Sequence, residues 1–147
     1  MIDHVWSVLC NSATIDRESN NVTLFQVVEQ LNVSGPSGAD VSTGVAIFDA
    51  ELVTLWSRTN LDHPARSRAR IQFVAPDGAL LGKPILYDVD LTGYGRLRNR
   101  TRISGFPVRG PGKYEFRVEL EKDSGWETVA KIPVEVRVIS EVKGIEP

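Results

Sequence analysis

The stretch "KYEFRVELE", residues 113–121, alternates apolar and charged side chains without a break. In an extended chain successive side chains point to opposite sides, so every second residue of this stretch shares a face. One face carries the apolar residues Tyr114, Phe116, Val118 and Leu120, and the other carries arginine and glutamate. This period of two predicts a half-buried strand of an antiparallel sheet.

The alternation extends to both sides of this stretch. Downstream, "KDSG" (residues 122–125) predicts a turn, and "WETVAKIPVEVRVI" (126–139) then predicts the returning strand of a hairpin. Pro133 in that strand lacks an N–H donor and therefore indicates a sheet edge or a break between two strands. Upstream, further strands are predicted in "HVWSVLC" (4–10), "FDAELVTLWS" (48–57), "ARIQFVAPDGALL" (69–81) and "PILYDVDLTG" (84–93).

About seven to nine short strands separated by turns predict an all-β fold. The expected architecture is a two-sheet antiparallel β-sandwich of the immunoglobulin-like or C2-like kind. A chain of 147 residues is long enough to bury one sizeable core, and no linker-like stretch divides it. We therefore predict a single domain over residues 1–147.

One segment, residues 22–33, fits two structures. Leu24, Val27, Val28 and Leu31 follow helical spacing, and Asn21 could cap such a helix. The same segment is rich in β-branched residues, and "DRESNN" before it reads as a hairpin connection. We predict a strand.

The second half of the chain has a recognisable pattern. "APDG" (75–78), "GPGKYEFRVEL" (110–120) and "WETVAKIPVEVRV" (126–138) resemble the late strands of immunoglobulin-like or C2-like sandwiches. Together with "CNSATIDRESNNVTLFQVVEQL" (10–31), the chain resembles an uncharacterised bacterial family of small β-sandwich proteins, a domain of unknown function. The resemblance implies a fold and transfers no catalytic or binding residue.

Composition and charge limit the setting of the protein. The first ten residues, "MIDHVWSVLC", lack the basic residues and unbroken apolar run of a signal peptide, and no segment has a membrane span's length of apolar residues. A single cysteine, Cys10, excludes an internal disulfide, so a cytoplasmic location is expected. The net charge of −2 is uneven: residues 1–57 hold one basic and seven acidic residues, and 58–113 hold eleven basic and four acidic.

The residue types that carry catalysis or bind metals are sparse. His4 and His63 are the only histidines, and Cys10 on an apolar strand is predicted to be a buried small residue. Zinc would need about four clustered Cys and His ligands, which two distant histidines and one cysteine do not offer. Asp88 and Asp90 are interpreted as surface charges of a strand. No catalytic residue, metal or cofactor is predicted, and we expect a protein that is not an enzyme.

The most conspicuous motif is "GRLRNRTRIS" (95–104), which places Arg96, Arg98, Arg100 and Arg102 on one face of a strand. The residues between them, Leu97, Asn99 and Thr101, are not aromatic, so base stacking and nucleic-acid binding are not expected. If both flanking connections are hairpins, this row lies between two acidic strands, with Asp88 and Asp90 on one side and Glu115, Glu119 and Glu121 on the other. Cross-strand ion pairs are then predicted.

A shorter row, Arg66, Arg68 and Arg70 in "ARSRAR" (65–70), has only Asp62 close to it in sequence, and Arg58 lies just upstream. These four arginines are the candidate binding residues, for an anionic partner or for another copy of the chain. The sequence thus favours a non-enzymatic binding or assembly module that acts through protein–protein contacts, including homo-oligomeric ones, without a membrane. The alternative is a ligand-binding module for an anionic polymer or carbohydrate, using these arginines and loop aromatics such as Phe106.

Overall fold

A computed structural model describes residues 1–35, 44–60, 62 and 65–140 of the chain. Within these residues there are nine strands and no helix. Accordingly, this part of the chain contains no helix with the length and apolar character needed to cross a membrane. The strands are β1 (Ile2–Ile15), β2 (Val22–Val27), β3 (Gln30–Gly35), β4 (Gly44–Arg58), β5 (Arg66–Val74), β6 (Leu80–Asp90), β7 (Arg96–Val108), β8 (Gly112–Lys122) and β9 (Gly125–Ser140).

The strands form two sheets, which confirms the predicted all-β sandwich. The four-stranded sheet has the order β2-β1-β4-β7, and the five-stranded sheet has the order β3-β9-β8-β5-β6. Neighbouring strands are antiparallel except β3, which pairs with β9 in parallel. The chain changes sheet between β6 and β7 and again between β7 and β8, so neither connection is a hairpin.

The core lies between the sheets and follows the predicted alternation. The four apolar residues of the opening stretch, Tyr114, Phe116, Val118 and Leu120, are buried on β8. Phe73 of the neighbouring β5 stacks on Tyr114 with ring centroids 5.3 Å apart and contacts Phe116 at 4.8 Å. Burial of aromatic rings is a large contribution to the stability of a core of this size.

Tyr114 also fixes the entry into β8. Its hydroxyl accepts a hydrogen bond from the Arg109 backbone N–H at 2.6 Å and donates one to the Gly110 carbonyl at 2.8 Å. A tyrosine that bonds back to the backbone a few residues upstream is the tyrosine corner of immunoglobulin-like sandwiches. These two hydrogen bonds hold the backbone of residues 109 and 110 at the start of β8.

The ambiguous segment 22–33 is β structure, as predicted, but it is divided into β2 and most of β3, which belong to different sheets. At the crossing from one sheet to the other, the Val28 N–H donates to the Leu9 carbonyl at 2.8 Å, and the Glu135 N–H donates to the Glu29 carbonyl at 3.0 Å. The helical spacing fails because β-branched residues fit a pleated surface, and residues on both sides of the crossing pair with neighbouring strands.

A second, smaller apolar cluster lies outside the main core. Cys10, Ala13 and Val53 are buried in it, and Trp6, Val8, Val22 and Leu24 pack against them. Since Val53 and Cys10 belong to β4 and β1, this cluster lies on the face of the four-stranded sheet that points away from the main core. The β1–β2 hairpin supplies most of its other members.

Candidate functional site

The candidate binding residues Arg66, Arg68 and Arg70 lie on β5, between β8 and β6. Arg68 Nε donates to Glu121 at 2.7 Å, and Arg70 Nε donates to Glu119 at 2.9 Å. On the other side, the β6 residues Asp90 and Asp88 lie opposite Arg66 and Arg68 in the register. Only Asp62 is an acid close to this row in sequence, and the acids that lie beside the row in the fold come from the neighbouring strands β6 and β8.

The pair between Arg70 and Glu119 is the most buried part of this row. Glu119 is 7% exposed and also accepts hydrogen bonds from Gln72 and Thr128. Burial alone would raise the pKa of the Glu119 carboxyl, but the bonds from Arg70, Gln72 and Thr128 together lower it. The Arg70 guanidinium lies 4.3 Å from the centre of the Trp126 ring, a cation–π distance.

Arg58, the fourth candidate, lies in the other sheet, at the end of β4 opposite Ile2. Its backbone N–H donates to the Gly95 carbonyl at 3.2 Å. The structure thus groups three of the four candidates on one sheet face and places the fourth elsewhere.

The longer arginine row lies on β7, whose paired neighbour is β4. Arg96, Arg98, Arg100 and Arg102 therefore do not lie between Asp88 and Asp90 and the glutamates of β8, and that prediction was wrong. The physical reason is that both connections of β7 cross between the sheets, whereas the prediction required hairpins. The predicted arrangement, a basic row between two acidic ones, occurs instead around Arg66–Arg70.

Two arginines of the β7 row hold the β1–β2 hairpin. Arg100 forms a bidentate pair with Glu51 at 3.0 and 3.1 Å and donates to the Ala13 carbonyl at 2.9 Å. Arg98 donates to the Asn20 carbonyl, in the turn of the hairpin, at 2.9 Å. These bonds fasten the hairpin over the smaller apolar cluster.

Cys10 is buried in that cluster, as predicted. Burial raises the pKa of its thiol, the Glu51 carboxylate acts in the same direction, and the Arg100 guanidinium opposes them. The thiol is thus shielded and mostly protonated at neutral pH, which suits a packing residue.

Several other candidates have no built site around them. Asp88 and Asp90 are exposed on β6, and His63 and the side chain of Phe106 lie outside the described residues. In the part of the chain that is described, no group of three or more His, Cys, Asp or Glu side chains is placed to hold a metal ion.

A lateral groove of about 470 Å³ lies between β1 and β9. The lateral groove is lined by Ser7, Val8, Leu9, Val27, Val28, Glu29, Lys113, Ile132, Pro133 and Glu135. Its apolar lining includes Leu9, Val27 and Ile132, and charged side chains at its rim are Glu29, Lys113 and Glu135. An apolar concavity with few polar groups is the usual form of a ligand or peptide site.

Strand edges without a partner strand flank the lateral groove. β2 pairs with β1 only from Cys10 onward, and β3 pairs with β9 only from Glu135 onward. The backbone groups of every second residue in a strand point to the same edge. The Leu9 carbonyl accepts from Val28 on the β2 side of β1, so the backbone groups of Ser7 point to that side as well, where β2 no longer reaches. On β9, the Glu135 N–H points to the β3 side, and the nitrogen of Pro133, two residues earlier, points to the same side, where β3 does not reach. Proline has no N–H, so this open edge lacks a donor at residue 133. The sheet-edge interpretation of Pro133 is thus confirmed, and β1 is the better edge for accepting a strand.

A chain of polar side chains begins at Ser7, which lines the lateral groove, and the sequence did not predict this chain. His4 Nε2 and Ser7 Oγ are 2.7 Å apart, and Ser7 Oγ is 2.8 Å from Oγ1 of the buried Thr54. Burial lowers the pKa of His4, so its neutral ring can accept from Ser7 while Thr54 donates to Ser7. Within the described residues no carboxylate is recorded as a partner of His4, so the orienting group of a catalytic triad is not seen there.

The sequence matches no protein-family model and no curated protein. Solved structures with some likeness include a family 123 glycoside hydrolase from Clostridium perfringens, at 9% identity and a TM-score of 0.42, over 94% of this chain and 28% of that one. Another is the PmoD soluble domain from Methylocystis sp. ATCC 49242 (Rockwell), at 14% identity and a TM-score of 0.31, over 93% of this chain and 97% of that one. A third is the N-terminal domain of PorA, at 11% identity and a TM-score of 0.27, over 90% of this chain and 97% of that one. This chain therefore spans little more than a quarter of the hydrolase, and TM-scores this low carry no argument about function.

Proposed function

We propose that the protein is a non-enzymatic binding module that recognises an extended segment of another protein. The segment adds as a strand to the outward edge of β1 and places apolar side chains in the lateral groove. The observation that carries this proposal is the combination of an open strand edge at Ser7 with an apolar groove directly beside it. In such strand addition, backbone hydrogen bonds supply affinity and side-chain pockets supply specificity.

The charges at the rim indicate the chemistry of the segment. Glu135 is paired with Arg137 at 3.1 Å, and Lys113 lies opposite Glu135 in the register. Glu29 has no recorded ion pair among the described residues. A bound segment with alternating apolar residues and a lysine or arginine near Glu29 complements this rim.

The test uses a displayed library of short random peptides selected on the full chain. The proposal expects enriched peptides with alternating apolar residues and a basic residue. It also expects hydrogen exchange of the Ser7 amide to slow when such a peptide binds, because that N–H gains a partner.

Two matched variants locate the binding surface. Val27 at the lateral groove and Leu86 on β6, at the opposite edge of the sandwich, are 54% and 53% exposed. Val27→Asp should abolish peptide binding, and Leu86→Asp should leave it unchanged. Peptides that bind both variants equally, or a library without enrichment, would overturn the proposal. Self-association abolished by Leu86→Asp would instead indicate contacts between copies through β6.

The alternative of binding an anionic polymer or carbohydrate loses its main support. It required Arg66, Arg68 and Arg70 to be available, and two of them are ion-paired within their own sheet. Two expectations accompany the main proposal: a cytoplasmic setting, supported by the single cysteine, and kinship with the uncharacterised bacterial β-sandwich family.

A further inference from the structure

A separate cavity, of about 230 Å³, lies where β7 begins beside the tip of the β1–β2 hairpin. We call it the arginine pocket. It is lined by Asn20, Leu55, Tyr94, Arg96, Leu97 and Arg98. It is separate from the lateral groove and shares no lining residue with it.

The arginine pocket holds two positive charges. Arg96 and Arg98 are two residues apart on one strand face, a spacing of roughly 6.6 Å along the strand. No ion pair is recorded for either of them among the described residues, in contrast to Arg100, which is paired with Glu51. The nearby acid of the hairpin turn, Asp16, is engaged by the backbone N–H and hydroxyl of Ser19 at 2.8 and 2.7 Å.

One hydrogen-bond donor of Arg98 has no acceptor in the described structure. Arg98 uses an Nη2 hydrogen for the Asn20 carbonyl, but its Nε is buried and has no hydrogen-bond partner in the described structure. A buried donor without an acceptor is costly, so the described structure leaves the hydrogen-bonding capacity of Arg98 incompletely satisfied.

Apart from Asn20, the remaining lining is apolar or aromatic. Leu55 lies directly opposite Arg98 in the register, and Tyr94 is 66% exposed at the pocket. A ligand that fits this lining carries a compact anionic group for the arginines. It also has a flat apolar part, such as an aromatic ring, that can lie on Tyr94 and Leu55.

We propose that the arginine pocket binds an aryl phosphate, with the phosphate bridging Arg96 and Arg98 and the ring on Tyr94 and Leu55. A doubly charged, three-oxygen group suits two guanidinium groups better than a single carboxylate does. The same chemistry is offered by a small aryl phosphate and by a phosphotyrosine side chain.

The test is a titration of the isotope-labelled full chain with phenyl phosphate and with inorganic phosphate at low ionic strength, followed by the amide signals of Asn20 and Tyr94. We expect saturable shifts, with phenyl phosphate binding about tenfold more tightly than inorganic phosphate because of its ring. Tyr94→Ala should bring the two affinities together. Alanine-flanked phosphotyrosine distinguishes the sources: tighter binding than phenyl phosphate indicates a protein ligand, and weaker binding indicates a small molecule.

Matched variants separate a site from general attraction to a basic surface. Arg96→Gln should weaken phenyl phosphate about tenfold, while Arg102→Gln, on the same strand face but outside the pocket, should leave the affinity unchanged. Arg96 is exposed and has no recorded hydrogen bond, so its replacement should not disturb folding. Shifts that do not saturate, or equal losses in the two variants, would overturn the proposal.

Discussion

Arg70 Nε donates to Glu119 Oε1 across 2.9 Å, and this bond joins the neighbouring strands β5 and β8 through a carboxylate that is almost fully buried. The same guanidinium covers the ring of Trp126 on β9. One arginine side chain thus connects three adjacent strands on the outer face of the five-stranded sheet.

Glu119→Gln should destabilise the protein at neutral pH by about 2 kcal/mol, because a charged acceptor is replaced by a neutral one beside Arg70. The folded-state pKa of Glu119 is lowered, so its contribution is present above its ordinary pKa and is lost as the pH falls through the folded value. Urea unfolding of both proteins should therefore show a difference at pH 7 that shrinks on acidification below about pH 4.5.

Glu121→Gln is the matched control for this prediction. Glu121 is on the same strand and pairs with Arg68, but both side chains are well exposed. Solvent screens exposed ion pairs, so Glu121→Gln should lower the free energy of unfolding by less than Glu119→Gln does. Equal losses would mean that burial does not set the strength of the Glu119 pair.

Tyr114→Phe removes both hydrogen bonds of the tyrosine corner while keeping the ring that stacks on Phe73. We expect a loss of about 1–3 kcal/mol in the free energy of unfolding, since the Arg109 N–H and the Gly110 carbonyl lose a partner. Tyr94→Phe, at an exposed tyrosine, should change stability little. Chemical denaturation measures both, and an unaffected Tyr114→Phe would show that water replaces the hydroxyl.

Gly112→Ala should be much more damaging than Gly125→Ala. Both glycines have positive φ, +147° and +121°, which strains any residue with a Cβ. At Gly112 a Cβ would also lie 2.7 Å from Pro76 Cγ, whereas no described atom lies within 4 Å of one at Gly125. Thermal unfolding should show an additional loss of about 1–3 kcal/mol for Gly112→Ala from this overlap.

Arg100→Gln should expose Cys10 to thiol reagents. Arg100, held by the Glu51 carboxylate of β4, fastens the β1–β2 hairpin through the Ala13 carbonyl, and the hairpin helps to cover Cys10. We expect thiol labelling of the native protein to accelerate about tenfold. Opening of the hairpin costs less free energy in the variant, because the bond from Arg100 to the Ala13 carbonyl no longer has to break. Arg102→Gln should label at the wild-type rate; an equal acceleration there would show that the hairpin opens independently of Arg100.

Alternation of residue types predicted most strands and many of their buried faces. It placed Tyr114, Phe116, Val118 and Leu120 in the core because a period of two is a local property of the chain. It predicted the β8–β9 hairpin but not the pairing of strands that are distant in sequence. The acidic rows assigned to Arg96–Arg102 belong in fact to Arg66–Arg70, since neighbouring strands in a sandwich are chosen by packing over the whole fold.

The polar chain at the lateral groove escaped prediction for a different reason. His4 and Ser7 are three residues apart, so simple alternation puts them on opposite faces. A register shift between His4 and Trp6 makes Val5 an extra residue on β1 and brings both side chains to the inner face, opposite Trp56 and Thr54. A bulge of this kind leaves no distinctive residue in the sequence.

The order of strands also has a consequence for how the chain folds. The five-stranded sheet contains two hairpins close in sequence, β5–β6 and β8–β9, whereas two of the three pairings in the other sheet, β1–β4 and β4–β7, join distant segments. Since closing long loops slows folding, we expect the hairpins to form early and β4 to dock between β1 and β7 late. On a ribosome, the amino-terminal strands would then wait for β7 to emerge, with the open side of β4 exposed to other chains in the meantime.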